Sequence, residues 1–163
     1  NQPEESIHRW YHDTVYGRMS KNDNELFGRL IMEINQAGLS WNIVLRKYDG
    51  IKKAYGDFDI LKISHFDDQK ISHLINDKNI IRHELKIRCI VYNASQILRI
   101  QKEFGTFQRW ILENRQNSIE NWTKLFKKNF KFVGKEIVKE FLISNGIIEG
   151  AHNKDCSSFN KTA

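Results

Sequence analysis

The stretch Leu26-Phe27-Gly28-Arg29-Leu30-Ile31-Met32-Glu33-Ile34-Asn35-Gln36-Ala37-Gly38-Leu39-Ser40-Trp41 (residues 26–41) decides the fold class. Leu26, Phe27, Leu30, Ile31 and Ile34 recur at helical spacing, which predicts a helix over residues 23–36 with one apolar face. Gly38 suits the left-handed position just past a helix end, and Ser40 suits the cap of a following helix. Two helices joined by a tight corner are therefore expected, with Leu39 and Trp41 as large groups held at that corner. Glu33 breaks the pattern, because it falls on the apolar stripe, three residues after Leu30 and seven after Leu26. A lone buried carboxylate costs several kcal/mol, so it must be paired, neutralised or kept for a ligand. The same spacing also suits a boundary carboxylate that reaches water or a lysine. An acid, an aromatic and a wedge so close together fit a pocket for a flat, polar, cationic ligand.

The rest of the chain continues in the same period. After Ser40 a helix carrying Val44, Tyr48, Ile51 and Tyr55 is expected to run to Gly56, followed by a loop over 57–64. Ser64 is read as the cap of a third helix with Asp67 and Asp68 in its first turn. Asn76-Asp77-Lys78-Asn79 breaks that helix, and a long one follows to Gly105 with Ile87, Ile90, Val91, Ala94, Ile97 and Leu98 buried. Thr106 caps a short helix. Residues 114–121 read as a polar linker, and two helices around 122–128 and 135–145 end at Gly146. Residues 1–20 read as irregular, although His8, Trp10, Tyr11, His12, Asp13 and Tyr16 make them dense in ligand-type and aromatic groups. With one proline in 163 residues and long 3.6-period runs, the class is all-α. No repeat or low-complexity tract is visible.

Composition narrows the partners. The net charge is +6, from 26 Lys and Arg against 20 Asp and Glu, and 40% apolar residues are enough for a core. Basic residues cluster at Lys124, Lys127, Lys128, Lys131 and Lys135, and again at Arg82, Lys86 and Arg88. Either set suits a solvated helix face. Their place in the folded part favours nucleic acid as the polyanionic partner. Cys89 and Cys156 form no disulfide framework and fit a reducing compartment, so a cytoplasmic location is expected. No apolar run approaches the ~18 residues of a membrane span, so no membrane partner is expected, and no signal peptide is visible. Asn1 in place of Met fits a chain trimmed upstream. The turn over 79–86, feeding a helix N-terminus, suits sequence-independent phosphate binding through backbone N–H groups, with Arg82 and Lys86 in reach. A helical hairpin is also a common packing unit.

Several of these residues stand together in a known order. Tyr11-His12-Asp13, Glu33 with Gln36-Ala37-Gly38-Leu39-Ser40-Trp41, Ile80-Ile81-Arg82 with Lys86-Ile87 and Asn93-Ala94, Phe130-Lys131-Phe132-Val133-Gly134, and His152 with Cys156 follow one another along nearly the whole chain. In this the sequence resembles the bacterial 3-methyladenine DNA glycosylase I family. The runs 36–41 and 130–134 are its specific elements. The resemblance implies a helix-hairpin-helix DNA glycosylase fold over residues 1–163, with two helical lobes flanking a base-binding pocket and the hairpin element near 67–104.

It also implies an activity: flipping 3-methyladenine out of alkylated double-stranded DNA and hydrolysing its N-glycosidic bond, as a monomer with no lysine nucleophile and no cofactor for the chemistry. Glu33 matches the family's pocket carboxylate, as base or as binding group. Tyr11 and Trp41 match the aromatic members, which would stack on the cationic base for roughly 0.5–2 kcal/mol each. Leu39 beside Gly38 would plug the gap in the duplex. Asn79, Ile80, Ile81, Arg82 and Lys86 would form the phosphate-binding hairpin. His12, His152 and Cys156 match three ligands of a structural zinc that ties the termini together. The family's fourth ligand is an N-terminal Cys, and here no Cys precedes Cys89.

The chain also departs from the family. Val15-Tyr16 stands where Glu-Trp is usual, Asn79 and Asn129 replace glycines, and the linker over 114–121 is short and lacks proline. Asn79 is read as tolerating the left-handed backbone that a glycine would adopt. Two other readings stay open on the residues: a glycosylase-like module that binds alkylated DNA without cutting it, and a helical protein-interaction domain.

Overall fold

A computed structural model describes residues 4–14 and 17–149. Among them all regular structure is helical. α1 spans Glu4–Thr14, α2 Asp23–Gln36, α3 Trp41–Arg46, α4 Tyr48–Ala54 and α5 Ile60–Ser64. They are followed by α6 Asp68–Ile75, α7 Glu84–Phe104, α8 Phe107–Glu113, α9 Ile119–Asn129 and α10 Lys135–Ser144. No helix among the described residues is long and apolar enough to cross a membrane.

α2 is the axis. Asn22 caps it, its side-chain oxygen accepting from the Asn24 N–H at 2.8 Å. Beyond the apolar stripe, Gly28, Met32, Glu33 and Asn35 are buried as well, so the helix is enclosed on nearly every side. It packs against α3, α5, α7, α8 and α10. Asp23, at its start, accepts from the Phe107 and Gln108 N–H groups at 2.9 and 3.1 Å and so also satisfies the N-terminus of α8. Gly28 is required by packing: a Cβ there would lie 2.4 Å from the Phe58 ring.

α7 is the second long element, and it contacts α2, α5, α6 and α8. Beyond it, α8 to α10 enclose an aromatic core of Phe107, Trp110, Trp122, Phe126, Phe130 and Phe141. Neighbouring rings there lie with centroids such as Trp110–Phe126 at 5.7 Å and Phe126–Phe130 at 5.4 Å.

Five boundaries differ from the sequence expectation, the simplest being α9, which begins at Ile119 inside the expected 114–121 linker. Residues 4–14 form a helix rather than an irregular segment; α1 docks on α3, with Tyr11 buried and His8 hydrogen-bonded to Asn42. Ile7, Trp10 and Tyr11 stand at helical spacing there. The helix expected after Ser40 is two helices, broken at Lys47. The break lets α4 lie on the 77–79 turn: the Lys47 ammonium donates to the Lys78 carbonyl at 2.8 Å, and a Cβ on Gly50 would stand 2.4 Å from the Asn79 carbonyl oxygen. Residues 57–64 are a 3-10 turn at Gly56–Phe58 followed by α5, not a loop. Asp67, not Ser64, caps α6, its carboxylate accepting from the Lys70 N–H at 2.8 Å; the Ser64 hydroxyl instead donates to Leu61.

Candidate functional site

The corner between α2 and α3 is built as the sequence suggests. Gly38 has φ +78, with open space where a Cβ would stand. The Leu39 N–H donates to the Gln36 carbonyl at 2.8 Å, and the Gln36 side chain donates back to the Leu39 carbonyl at 3.1 Å. Ser40 caps α3, accepting from the Ile43 N–H at 3.4 Å. Leu39 and Trp41 are half-buried against the core.

Beside this corner lies a cleft of about 820 Å3, lined among others by Glu33, Gly38, Trp41, Gly134, Glu136 and Glu140. Glu33 is 5% exposed. Among the described residues none donates a hydrogen bond to its carboxylate. Burial, and then the nearby charge of Glu140, push its carboxyl up to about 8. At neutral pH the empty cleft therefore favours a protonated Glu33, and a cation entering the cleft would return it to the carboxylate.

Trp41 forms a wall of the cleft, and Tyr11 stands behind it. Tyr11 is 4% exposed and meets Trp41 edge-on, with centroids 5.2 Å apart. It borders a separate cavity of about 660 Å3 with Trp10, Arg29 and Tyr48. Tyr11 thus reaches the cleft through its contact with the Trp41 ring. That ring contact accompanies the packing of α1 on α3.

Lys86 is enclosed beneath the corner. It is 3% exposed, and its ammonium donates to the Asn35 and Ala37 carbonyls at 3.0 and 2.7 Å. α2 has no basic residue in its last turn, so Lys86 supplies the cation at that helix end from α7. The Phe132 ring centroid lies 5.9 Å away, and burial pulls the ammonium below its ordinary pKa. It does not face solvent, where a phosphate would lie.

The rest of the turn between α6 and α7 divides by side chain. Ile80 is 2% exposed and anchors the turn in the core, while Ile81 is half-buried against it. Asn79 and Arg82 are exposed. Asn79 does not use the left-handed backbone that it could tolerate: its N–H is held by the Asp77 carboxylate at 2.9 Å, and the Ile80 N–H reaches the Asp77 carbonyl at 3.4 Å. His83 caps α7, accepting from the Lys86 N–H at 3.3 Å.

The 130–134 loop is pinned to α7. Asn93 accepts from the Lys131 N–H at 2.8 Å and donates to its carbonyl at 2.9 Å. Phe132 adopts φ +60, and its ring lies 6.2 Å from His83. This loop carries Gly134 to the cleft, while Lys124, Lys127, Lys128, Lys131 and Lys135 stay exposed around it.

Glu136 and Glu140 are cleft residues that the sequence reading missed. They sit one turn apart on α10, opposite Val138, Phe141 and Leu142 of the core. That spacing marks an acidic face, but nothing in it says what the face looks at. Of the expected metal ligands, His152 and Cys156 lie outside the described residues, as does the side chain of His12 and the Val15-Tyr16 pair. Among the described residues no group of three His, Cys, Asp or Glu could hold a metal ion.

The comparisons with known proteins agree with this geometry. The family model described as methyladenine glycosylase matches residues 2–160. A DNA-3-methyladenine glycosylase of Haemophilus influenzae is 30% identical over 173 aligned positions, covering 94% of this chain and 92% of that protein. DNA-3-methyladenine glycosylase 1 of Escherichia coli (strain K12) is 29% identical, covering 85% of this chain and 84% of that one. Among solved structures, a tyrosine-to-phenylalanine variant of 3-methyladenine DNA glycosylase I in complex with 3-methyladenine superposes with a TM-score of 0.87, at 29% identity, over 93% of this chain and 91% of that one. The Staphylococcus aureus 3-methyladenine DNA glycosylase I gives 0.85 at 29% identity, over 93% and 90%. With its all-helical architecture and a family match over nearly its whole length, the chain belongs to the methyladenine glycosylase family.

Proposed function

We propose that this chain is a monofunctional DNA-3-methyladenine glycosylase, and that the cleft beside the α2–α3 corner receives the extruded base. The observation that carries the reading is Glu33: a buried carboxylate, without a hydrogen-bond donor among the described residues, on the wall of an open cleft beside an aromatic ring. Such a group is stabilised by a cation with N–H donors, and the 3-methyladenine nucleotide supplies both. Its ring carries delocalised positive charge and its amino edge donates.

The chemistry follows from that charge. When the N-glycosidic bond breaks, its electron pair passes to the base, which leaves neutral. Water adds to the sugar C1′ and releases a proton to solvent. No step passes through a metal. Glu33 holds the base edge, Trp41 stacks on its face, and Tyr11 keeps Trp41 in place. Leu39, presented by Gly38 and Ser40, enters the gap in the duplex, where an apolar wedge offsets part of the few kcal/mol of unstacking. Arg82 and the exposed Asn79 approach a phosphate, and the lysines near the 130–134 loop extend the electrostatic track.

The substrate is double-stranded DNA, and the protein acts as a monomer in the bacterial cytoplasm, at the nucleoid. His12, His152 and Cys156 remain the candidates for a structural zinc joining the termini, which metal analysis of the chain would test. The function itself is tested on duplex DNA treated with a methylating agent. Free 3-methyladenine should appear, and Glu33→Ala or Trp41→Ala should abolish or strongly reduce it. Binding to methylated DNA without base release would convert the reading to a non-cutting sensor; salt-insensitive or absent DNA binding would sink both.

A further inference from the structure

Glu33 is not the only carboxyl group of the cleft. α10 brings Glu136 and Glu140 to it. The lysines at hand do not neutralise them: the Lys135 ammonium is 3.8 Å from a carboxylate oxygen of Glu120, and Lys86 is engaged by the Asn35 and Ala37 carbonyls. Among the described residues neither Glu33 nor Glu140 has an ion-pair partner. Glu136 lies in the first turn of α10, where the helix dipole stabilises its charge. Glu140 lies beyond that turn, half-buried. Its charge is felt by Glu33, adding to what burial already does.

We propose that Glu140 is a second specificity-determining carboxylate of this cleft, which makes the site select its base by positive charge as well as by shape. The proposal rests on the glycosylase reading above. Two carboxylates lining one cleft, one of them buried, repel, and a proton on Glu33 relieves the repulsion. A cationic base relieves it equally: as the base enters, Glu33 releases its proton to solvent and both carboxylates face the cation. An undamaged adenine brings no charge. Glu33 then keeps its proton, and the site gains only neutral hydrogen bonds, which are weaker than those to a charged group. When the bond to the sugar breaks and the base becomes neutral, the repulsion returns, Glu33 takes up a proton, and the product loses its hold.

The test compares the parent with Glu140→Gln and Glu140→Asp near pH 9, where most Glu33 is ionised. We expect Glu140→Gln to lower kcat/KM for 3-methyladenine release from methylated duplex by about fivefold to tenfold, the size of one lost charge interaction at intermediate dielectric. Affinity for a duplex carrying a neutral tetrahydrofuran abasic analogue should not change, and Glu140→Asp should recover most of the loss. The pH profile is an independent readout. The charged groups facing Glu33 are Lys135, Glu136 and Glu140 on α10 and Lys86 on α7, while Trp41 of α3 is uncharged and Tyr11 of α1 stands behind it. Only Glu140 is altered, so the rising limb of kcat/KM should move to lower pH in Glu140→Gln. Unchanged excision in that variant, or an equal loss on the abasic duplex, overturns the proposal. A parent that releases no base overturns the glycosylase reading, and this one with it.

Discussion

Two buried charges flank the α2–α3 corner, and they have opposite environments. Lys86 lies under the corner with two carbonyls on its ammonium and an aromatic ring nearby. Glu33 lies on the wall of the cleft with no donor among the described residues. Both are at most 5% exposed. The contrast teaches how to read a buried charge. Where the backbone completes its hydrogen bonds, the group fastens elements together. Where the hydrogen bonds are left to be made by something else, and a cavity adjoins, the group is available to a ligand.

The largest expected effect separates the two by activity. Glu33→Gln keeps the shape and removes the charge, and kcat/KM for 3-methyladenine release should fall by about tenfold to a hundredfold, the range for a hydrogen bond to a charged group. Lys86→Met should show the opposite balance. It leaves the Asn35 and Ala37 carbonyls unpaired, costing about 1–3 kcal/mol of stability in chemical denaturation, with a smaller effect on bound-base affinity. If Lys86→Met instead weakened DNA binding with stability intact, its assignment as a fastener would fail.

Acidity sharpens the same comparison. The Glu33 carboxyl is raised in the folded state to about 8, from an ordinary value near 4.5. Its proton is therefore held more tightly folded than unfolded. The stability this gives is fully present below about 4.5 and is lost as pH rises toward about 8. Glu33→Gln should consequently be more stable than the parent at pH 8, by an amount on the order of a few kcal/mol at most, and the advantage should shrink toward pH 4.5. Thermal melts across that range check the sign. Activity should run the other way in the parent, rising toward pH 8 as the carboxylate forms. A residue that weakens the fold where it serves the ligand best is the expected signature of a binding group.

Trp41→Ala should lower base release by roughly tenfold, within the 1–3 kcal/mol that a base–aromatic stack contributes. Tyr11→Ala should give part of that loss indirectly, through a Trp41 ring no longer held edge-on. The smallest effect belongs to the hairpin. Arg82→Ala should weaken binding to damaged and undamaged duplex alike and reduce the salt slope by about 1. A loss confined to damaged DNA would move Arg82 from the phosphate track to the lesion.

Much of this site was legible in the residues. The period of 26–34, the glycine at 38 and the serine at 40 carry their own local physics: an apolar stripe, a positive φ and a side-chain cap each act within a few residues. Resemblance to a family then attached roles to Glu33, Trp41 and Leu39. A matched position does not say which way a side chain points, and Tyr11 and Lys86 are both buried. Lys86 lies two residues after an exposed His83–Glu84 turn, and only the packing of α7 on α2 turns it inward.

By itself, the sequence determined an all-helical chain, the position of its long helices and the local geometry of the α2–α3 corner. Backbone propensity, capping and hydrophobic period are short-range, so they can be read along the chain. The tertiary structure alone decided that α1 docks on α3, that the helix after Ser40 breaks at Lys47, and that Glu140 faces Glu33 from more than a hundred residues away. These depend on contacts between segments far apart in sequence. The corner therefore supplies one carboxylate and one ring, and its charge is completed by a helix that no local pattern connects to it.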